Sequence, residues 1–101
     1  MSDHCGWTNY ETYWMSNRYH PSETMEFLGS TYDFGNTPFD TVVNDLAVAL
    51  KFTTETQMMK EMPHMRYYMC YTIVSEFMRK VDFREIAQRM LYSYIAQELL
   101  P

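Results

Sequence analysis

Apolar residues spaced three and four apart run through much of this 101-residue chain, and that spacing makes it helical. Phe39, Val42, Val43, Leu46, Ala47 and Leu50 follow a 3.6-residue period, as do Phe83, Ile86, Ala87, Met90, Leu91, Tyr94 and Ile95. Each set follows a helix-start signal. Thr37-Pro38-Phe39-Asp40 places a cap, a proline at the first helical position and an acid in the first turn. Asp82-Phe83-Arg84-Glu85 reads as a capping box, with Asp82 as cap, Glu85 closing it, and Val81 and Ile86 as the hydrophobic staple around it. The last helix is predicted to run to about Leu99.

A third start signal lies near the beginning of the chain, in Gly6-Trp7-Thr8-Asn9-Tyr10-Glu11-Thr12-Tyr13-Trp14. Thr8 and Glu11 fit a capping box, with Asn9 as the alternative cap. Tyr10, Tyr13, Trp14 and Asn17 then share one face, and the reading is a short aromatic helix that later helices pack against. Pro21 disfavours helical geometry in the residue before it, so this helix should end near His20. A second short helix is expected through about Leu28, capped by Ser22, with Glu23 and Glu26 near the positive end of its dipole.

Residues 29–36 read as a loop punctuated by Gly29 and Gly35, compatible with a short extended pairing and pinned to the body by Tyr32 and Phe34. The helical pattern loosens across 51–56, where β-branched and polar residues allow a break, and resumes through Met58, Met59 and Met62 to Pro63. Residues 64–80 carry two apolar stripes. One is Met65, Tyr68, Met69, Thr72, Ile73 and Phe77; the other is Tyr67, Tyr71, Val74 and Met78. A helix apolar on two sides belongs at the centre of a bundle, the alternative being an exposed second stripe used for dimerisation or partner binding. With no repeat, linker or low-complexity tract, residues 1–101 are expected to form one all-α domain, a compact bundle of about five helices.

Composition bears on function. An apolar content of 47% and an aromatic content of 17% suit a folded globule, and ten Met and nine Tyr suit adaptable contact surfaces as well as a core. The net charge of −5 is uneven. Residues 1–50 hold seven acids against Arg18 alone, whereas residues 51–101 hold six acids and seven bases. An acidic half disfavours nucleic acid or an anionic membrane as partner and suits a basic protein surface. The opening residues lack a signal-peptide pattern and no stretch is long enough to span a bilayer, so a cytoplasmic location with Cys5 and Cys70 reduced is expected.

Catalytic and cofactor chemistry finds little support. His4, Cys5, His20, His64 and Cys70 lack the paired spacing of a zinc site, and Cys70 sits in an apolar helix as a core residue. Glu11 and Glu85 are explained by capping, and three scattered glycines make no phosphate loop. No enzyme activity, cofactor or metal is expected. The bases Arg79, Lys80, Arg84 and Arg89 are interrupted by Asp82 and Glu85, which reads as a solvated face.

Two segments resemble the motifs of a family of small proteins carried by bacteriophages, plasmids and related mobile elements. Trp7-Thr8-Asn9-Tyr10-Glu11-Thr12-Tyr13 is similar to the family's opening W-T-N-Y-E-T-W, and Val81-Asp82-Phe83-Arg84-Glu85-Ile86-Ala87 to its closing V-N-W-x-E-I-A. Tyr13 and Phe83 stand where the family has Trp, and Asp82 where it often has Asn. The resemblance implies a mobile-element accessory protein, a class that includes inhibitors of host defence. The expected function is therefore stoichiometric binding of a bacterial host protein, such as a CRISPR effector or another nucleic-acid-binding defence component. The alternative is a self-associating structural or regulatory module, a homodimer in the simplest case. Candidate partner-binding residues are the acids Glu23, Glu26, Asp33, Asp40 and Asp45 with the aromatics Tyr32 and Phe34. Trp7, Thr8, Asn9, Tyr10, Glu11, Tyr13, Trp14, Asp82, Phe83, Glu85 and Ile86 are the candidate structural motif.

Overall fold

Five α-helices and no strand occur among the described residues of the computed structural model, which are residues 6–61 and 67–99, the side chains of 67–71, 98 and 99 excepted. Helix α1 is Tyr10–Ser16, α2 Thr24–Leu28, α3 Phe39–Glu61, α4 Tyr67–Lys80 and α5 Phe83–Tyr94. A 3₁₀ turn over Pro21–Glu23 leads into α2, and a π-helical turn over Ile95–Leu99 continues α5 to the predicted end. The all-α expectation holds, and 29–36 contains turns in place of the extended pairing.

The core lies along the packed pair α3 and α5. Leu46 and Leu50 of α3 are fully buried, and Ile86, Ala87 and Leu91 of α5 nearly so. At 23 residues α3 is about 35 Å long and runs unbroken through 51–56. Packing overrides the weak local propensity there: Thr54 is buried, its hydroxyl shares a hydrogen bond with the Tyr19 hydroxyl, and Met58 and Met59 pack against the core. Helix α4 lies against α3 and α1, beside the central pair. Among its described side chains Val74 and Met78 are buried, Phe77 packs partly buried against the core, and Ile73 is 52% exposed. Met65, Tyr68, Met69, Tyr67, Tyr71, Met62 and Pro63 lie outside the described side chains.

The short helices depart from expectation in two ways. Helix α1 stops at Ser16, because Arg18 and Tyr19 donate to the Met15 and Ser16 carbonyls three residues back and tighten the chain out of the α-helix. The next start is capped by His20 and not by Ser22. Extended backbone, as required before Pro21, lets His20 Nδ1 accept the Ser22 N–H at 3.1 Å while Glu23 Oε1 accepts the His20 N–H at 2.7 Å. Before α3 the Thr37 hydroxyl donates to the Asp33 carbonyl at 2.5 Å, bracing the loop. Gly29 closes α2 at φ +99°, a conformation that side chains strongly disfavour.

The two motif segments interlock. Asn9 and Asp82 act as local caps, Asn9 Oδ1 accepting the Thr12 N–H at 2.8 Å and Asp82 Oδ1 the Glu85 N–H at 3.1 Å. The remaining donors cross between the helices. Thr8 N–H donates to Glu85 Oε1 at 3.1 Å, in place of the Glu11 carboxylate expected from the capping box. Asp82 N–H donates to the Thr12 hydroxyl at 2.8 Å, in place of Glu85. Asn9 Nδ2 donates to the Lys80 carbonyl at 2.8 Å. Each helix start is thus completed by the other's side chains, which satisfies orphan N–H groups that a single helix leaves free.

Arg89 closes the assembly. Its guanidinium sits 3.9 Å from the Trp7 ring centre and donates to the Gly6 carbonyl at 2.6 Å and to Glu85 at 3.2 Å. The face that α1 buries is Thr12 and Met15, both fully buried, and not the aromatic face. Tyr10 is 56% exposed and Trp14 is partly exposed; a small hydroxyl and a flexible thioether let α1 approach α5 closely, which the rings would prevent. Phe83 and Ile86 are buried beneath the joint.

Candidate partner-binding surface

Aromatic rings gather where α3 begins and α5 ends. Phe34 packs against Tyr32 edge-on at 5.7 Å and stacks on Tyr94 at 5.9 Å. Phe39 contacts Tyr92 at 5.1 Å, and Tyr92 is 57% exposed. Loop 29–37 is therefore pinned to the body through Tyr32 and Phe34, as expected. The pairs are edge-to-face, stacked or tilted, arrangements that the ring quadrupole favours.

Three acids neighbour these rings, two in sequence and one through a hydrogen bond. Asp33 and Asp40 follow Tyr32 and Phe39 in the chain, and Asp45 accepts the Tyr32 hydroxyl proton at 2.5 Å; all three carboxylates are exposed. Asp33 also organises the loop, accepting the Asn36 N–H at 3.3 Å and Asn36 Nδ2 at 2.8 Å. Desolvation first, then the Asp45 hydrogen bond and its negative charge, push the Tyr32 phenol up to about 12. Asp45 thereby fixes the orientation of one ring in the cluster.

The remaining two acids belong elsewhere. Glu23 lines a groove with Arg18, Tyr19, Phe27, Thr53 and Gln57, and its carboxylate caps the turn that starts at His20. Thr53 lies 13 residues beyond Asp40 along α3, about 20 Å away. Glu26 is exposed on α2. The acidic half of the sequence is thus at least two separate surfaces, Glu23 beside the Tyr19–Phe27 ring pair and Asp45 at Tyr32. Phe39, Tyr92 and Tyr94 are not among the sequence-derived candidates: Phe39 and Tyr94 fall in the periodic apolar sets, Tyr92 in neither, and the ring contacts of all three join distant segments.

A separate apolar hollow of about 150 Å³ is lined by Trp14, Met58, Ile73, Val74 and Phe77. Trp14 meets Phe77 edge-on at 5.4 Å on its rim. Inside the body, burial raises the Tyr19 phenol above its usual value against the opposing effect of its Thr54 hydrogen bond.

Among the described residues no three His, Cys, Asp or Glu side chains gather to hold a metal ion. His4, Cys5, His64 and the Cys70 side chain lie outside them. No helix of the described residues is long and apolar enough to cross a membrane. Comparison of the chain with protein-family models, curated proteins and solved structures finds no match.

Proposed function

We propose that this chain is an accessory protein of a phage or mobile element that acts by stoichiometric protein binding. Its target is a bacterial defence effector, of the CRISPR class or another nucleic-acid-binding kind, in the cytoplasm of the infected host. The observation that carries this reading is the Asp45 carboxylate bonded to the Tyr32 hydroxyl within the rings where α3 begins and α5 ends, with exposed Asp33 and Asp40 next to Tyr32 and Phe39 in sequence. Carboxylates steer association toward a basic channel, and rings held in place by one another supply contact area at little entropic cost. A surface of this kind competes with nucleic acid for its binding site by occupying it.

Affinity capture from a nuclease-treated bacterial lysate, followed by mass spectrometry, tests the proposal. Wild-type chain should retain a nucleic-acid-binding protein that a variant with Asp33, Asp40 and Asp45 changed to Lys fails to retain. Equal retention by both rejects charge-guided binding.

Self-association is the second reading, and the hollow beside Trp14 favours it. Ile73 is 52% exposed and Trp14 41%, apolar surface beside the hollow that a second copy of the chain would cover. Light scattering separates the two: a monomer at high concentration removes this second reading.

A further inference from the structure

A second groove, of about 330 Å³, runs between α3 and the corner that joins α4 to α5. Its floor is apolar, formed by Ala47, Met78, Val81 and Phe83, with Val48 as a lip that is 68% exposed. Three cations line it, namely Lys51, Arg79 and Arg84. In a chain of net charge −5 this is a local reversal of sign.

The cations are available. Lys51 makes no ion pair among the described residues, and Arg84 donates to the neutral side-chain oxygen of Asn44. Arg79 pairs with Glu76 at 2.8 Å, but their side chains are 73% and 56% exposed, so the pair is weak and exchangeable. Asp82 also lines the groove, with its carboxylate turned to the Glu85 N–H as helix cap. Of the other two bases of this part of the sequence, Lys80 is not among the lining residues and Arg89 is bound to Trp7 and Gly6.

We infer that this groove docks a short acidic-apolar peptide segment of a protein partner, in which carboxylates alternate with aliphatic side chains. The rim then pairs with carboxylates while the floor takes the aliphatic groups. From Asn44 to Lys51 the groove spans about 10 Å, the length of roughly three extended residues. A nucleic-acid backbone is the poorer match, because it presents no apolar groups to the floor.

Amide chemical-shift mapping of the ¹⁵N-labelled chain tests the inference with three probes: an acetylated tetrapeptide of alternating glutamate and leucine, its lysine counterpart, and an oligothymidylate strand. The acidic peptide should shift the amides of Ala47, Val48, Met78 and Phe83, and the basic peptide should not. Lys51→Glu with Arg79→Glu, both at exposed positions, should weaken acidic-peptide binding at least tenfold while leaving the circular dichroism spectrum unchanged. Val48→Asp should weaken it through the lip alone. Equal shifts with the basic peptide, shifts mapping elsewhere, or tighter binding of the oligothymidylate at these same residues would overturn the inference.

Discussion

Replacing Thr12 by Val tests whether the two motif segments form one joint. Thr12 is fully buried, and its hydroxyl accepts the Asp82 N–H at 2.8 Å. Val has nearly the same volume, so no cavity opens and the change isolates the hydroxyl. The Asp82 N–H then loses its acceptor in a partly buried position, which costs about 1–3 kcal/mol. For a domain of this size that is a fall in melting temperature of roughly 5–15 °C. Urea unfolding followed by tryptophan fluorescence is a suitable assay, because Trp7 and Trp14 flank the joint. A second variant, Glu85→Ala, removes the acceptor of the Thr8 N–H in the same joint. The two losses should be non-additive, the double variant costing less than the sum by about 0.5 kcal/mol or more. Additivity within about 0.3 kcal/mol, or a Thr12→Val cost below about 0.5 kcal/mol, would refute the idea that each helix start is completed by the other.

Other consequences can be measured directly. Because the Tyr32 phenol is raised to about 12 from 10.0, its contribution to stability is complete below pH 10 and is lost as pH rises through about 12. Ultraviolet titration of the phenolate should show this late ionisation, and Asp45→Asn should bring it earlier. His20→Ala, which deletes a helix cap, should cost about 1 kcal/mol in urea unfolding, whereas Ser22→Ala should be nearly neutral. Leu46→Ala, at a fully buried position between α3 and α5, should cost about 2–5 kcal/mol by calorimetry.

Local relations in this chain are readable from its residues, and distant ones are not. Asn9 and Asp82 can be named as caps because the N–H each one binds lies three residues away. Periodicity likewise places Leu46, Leu50, Ile86 and Leu91 inside. By contrast, the acceptor of the Thr8 N–H lies 77 residues away and that of the Asp82 N–H 70 residues away. The capping box offers a closer Glu in each case, and packing of α1 on α5 overrides it. The same packing reverses the expected face of α1, since Thr12 and Met15 permit a close approach that Tyr10 and Trp14 do not. Propensity alone also allows a break near residue 53 of α3, which the buried Thr54 and its bond to Tyr19 remove. Tyr32 and Phe34 are legible as loop anchors, but their partners Asp45 and Tyr94 are set by the fold.

The proposed function requires the acidic-aromatic end to occupy a nucleic-acid-binding surface. The most direct measurement is a competition titration in which the captured effector, loaded with labelled nucleic acid, receives increasing amounts of this chain. Release of the nucleic acid should saturate at a fixed molar ratio, weaken with added salt, and fail for the variant with Asp33, Asp40 and Asp45 changed to Lys. Nucleic acid that stays bound while the chain joins the complex, or release that is equal for both proteins, contradicts it.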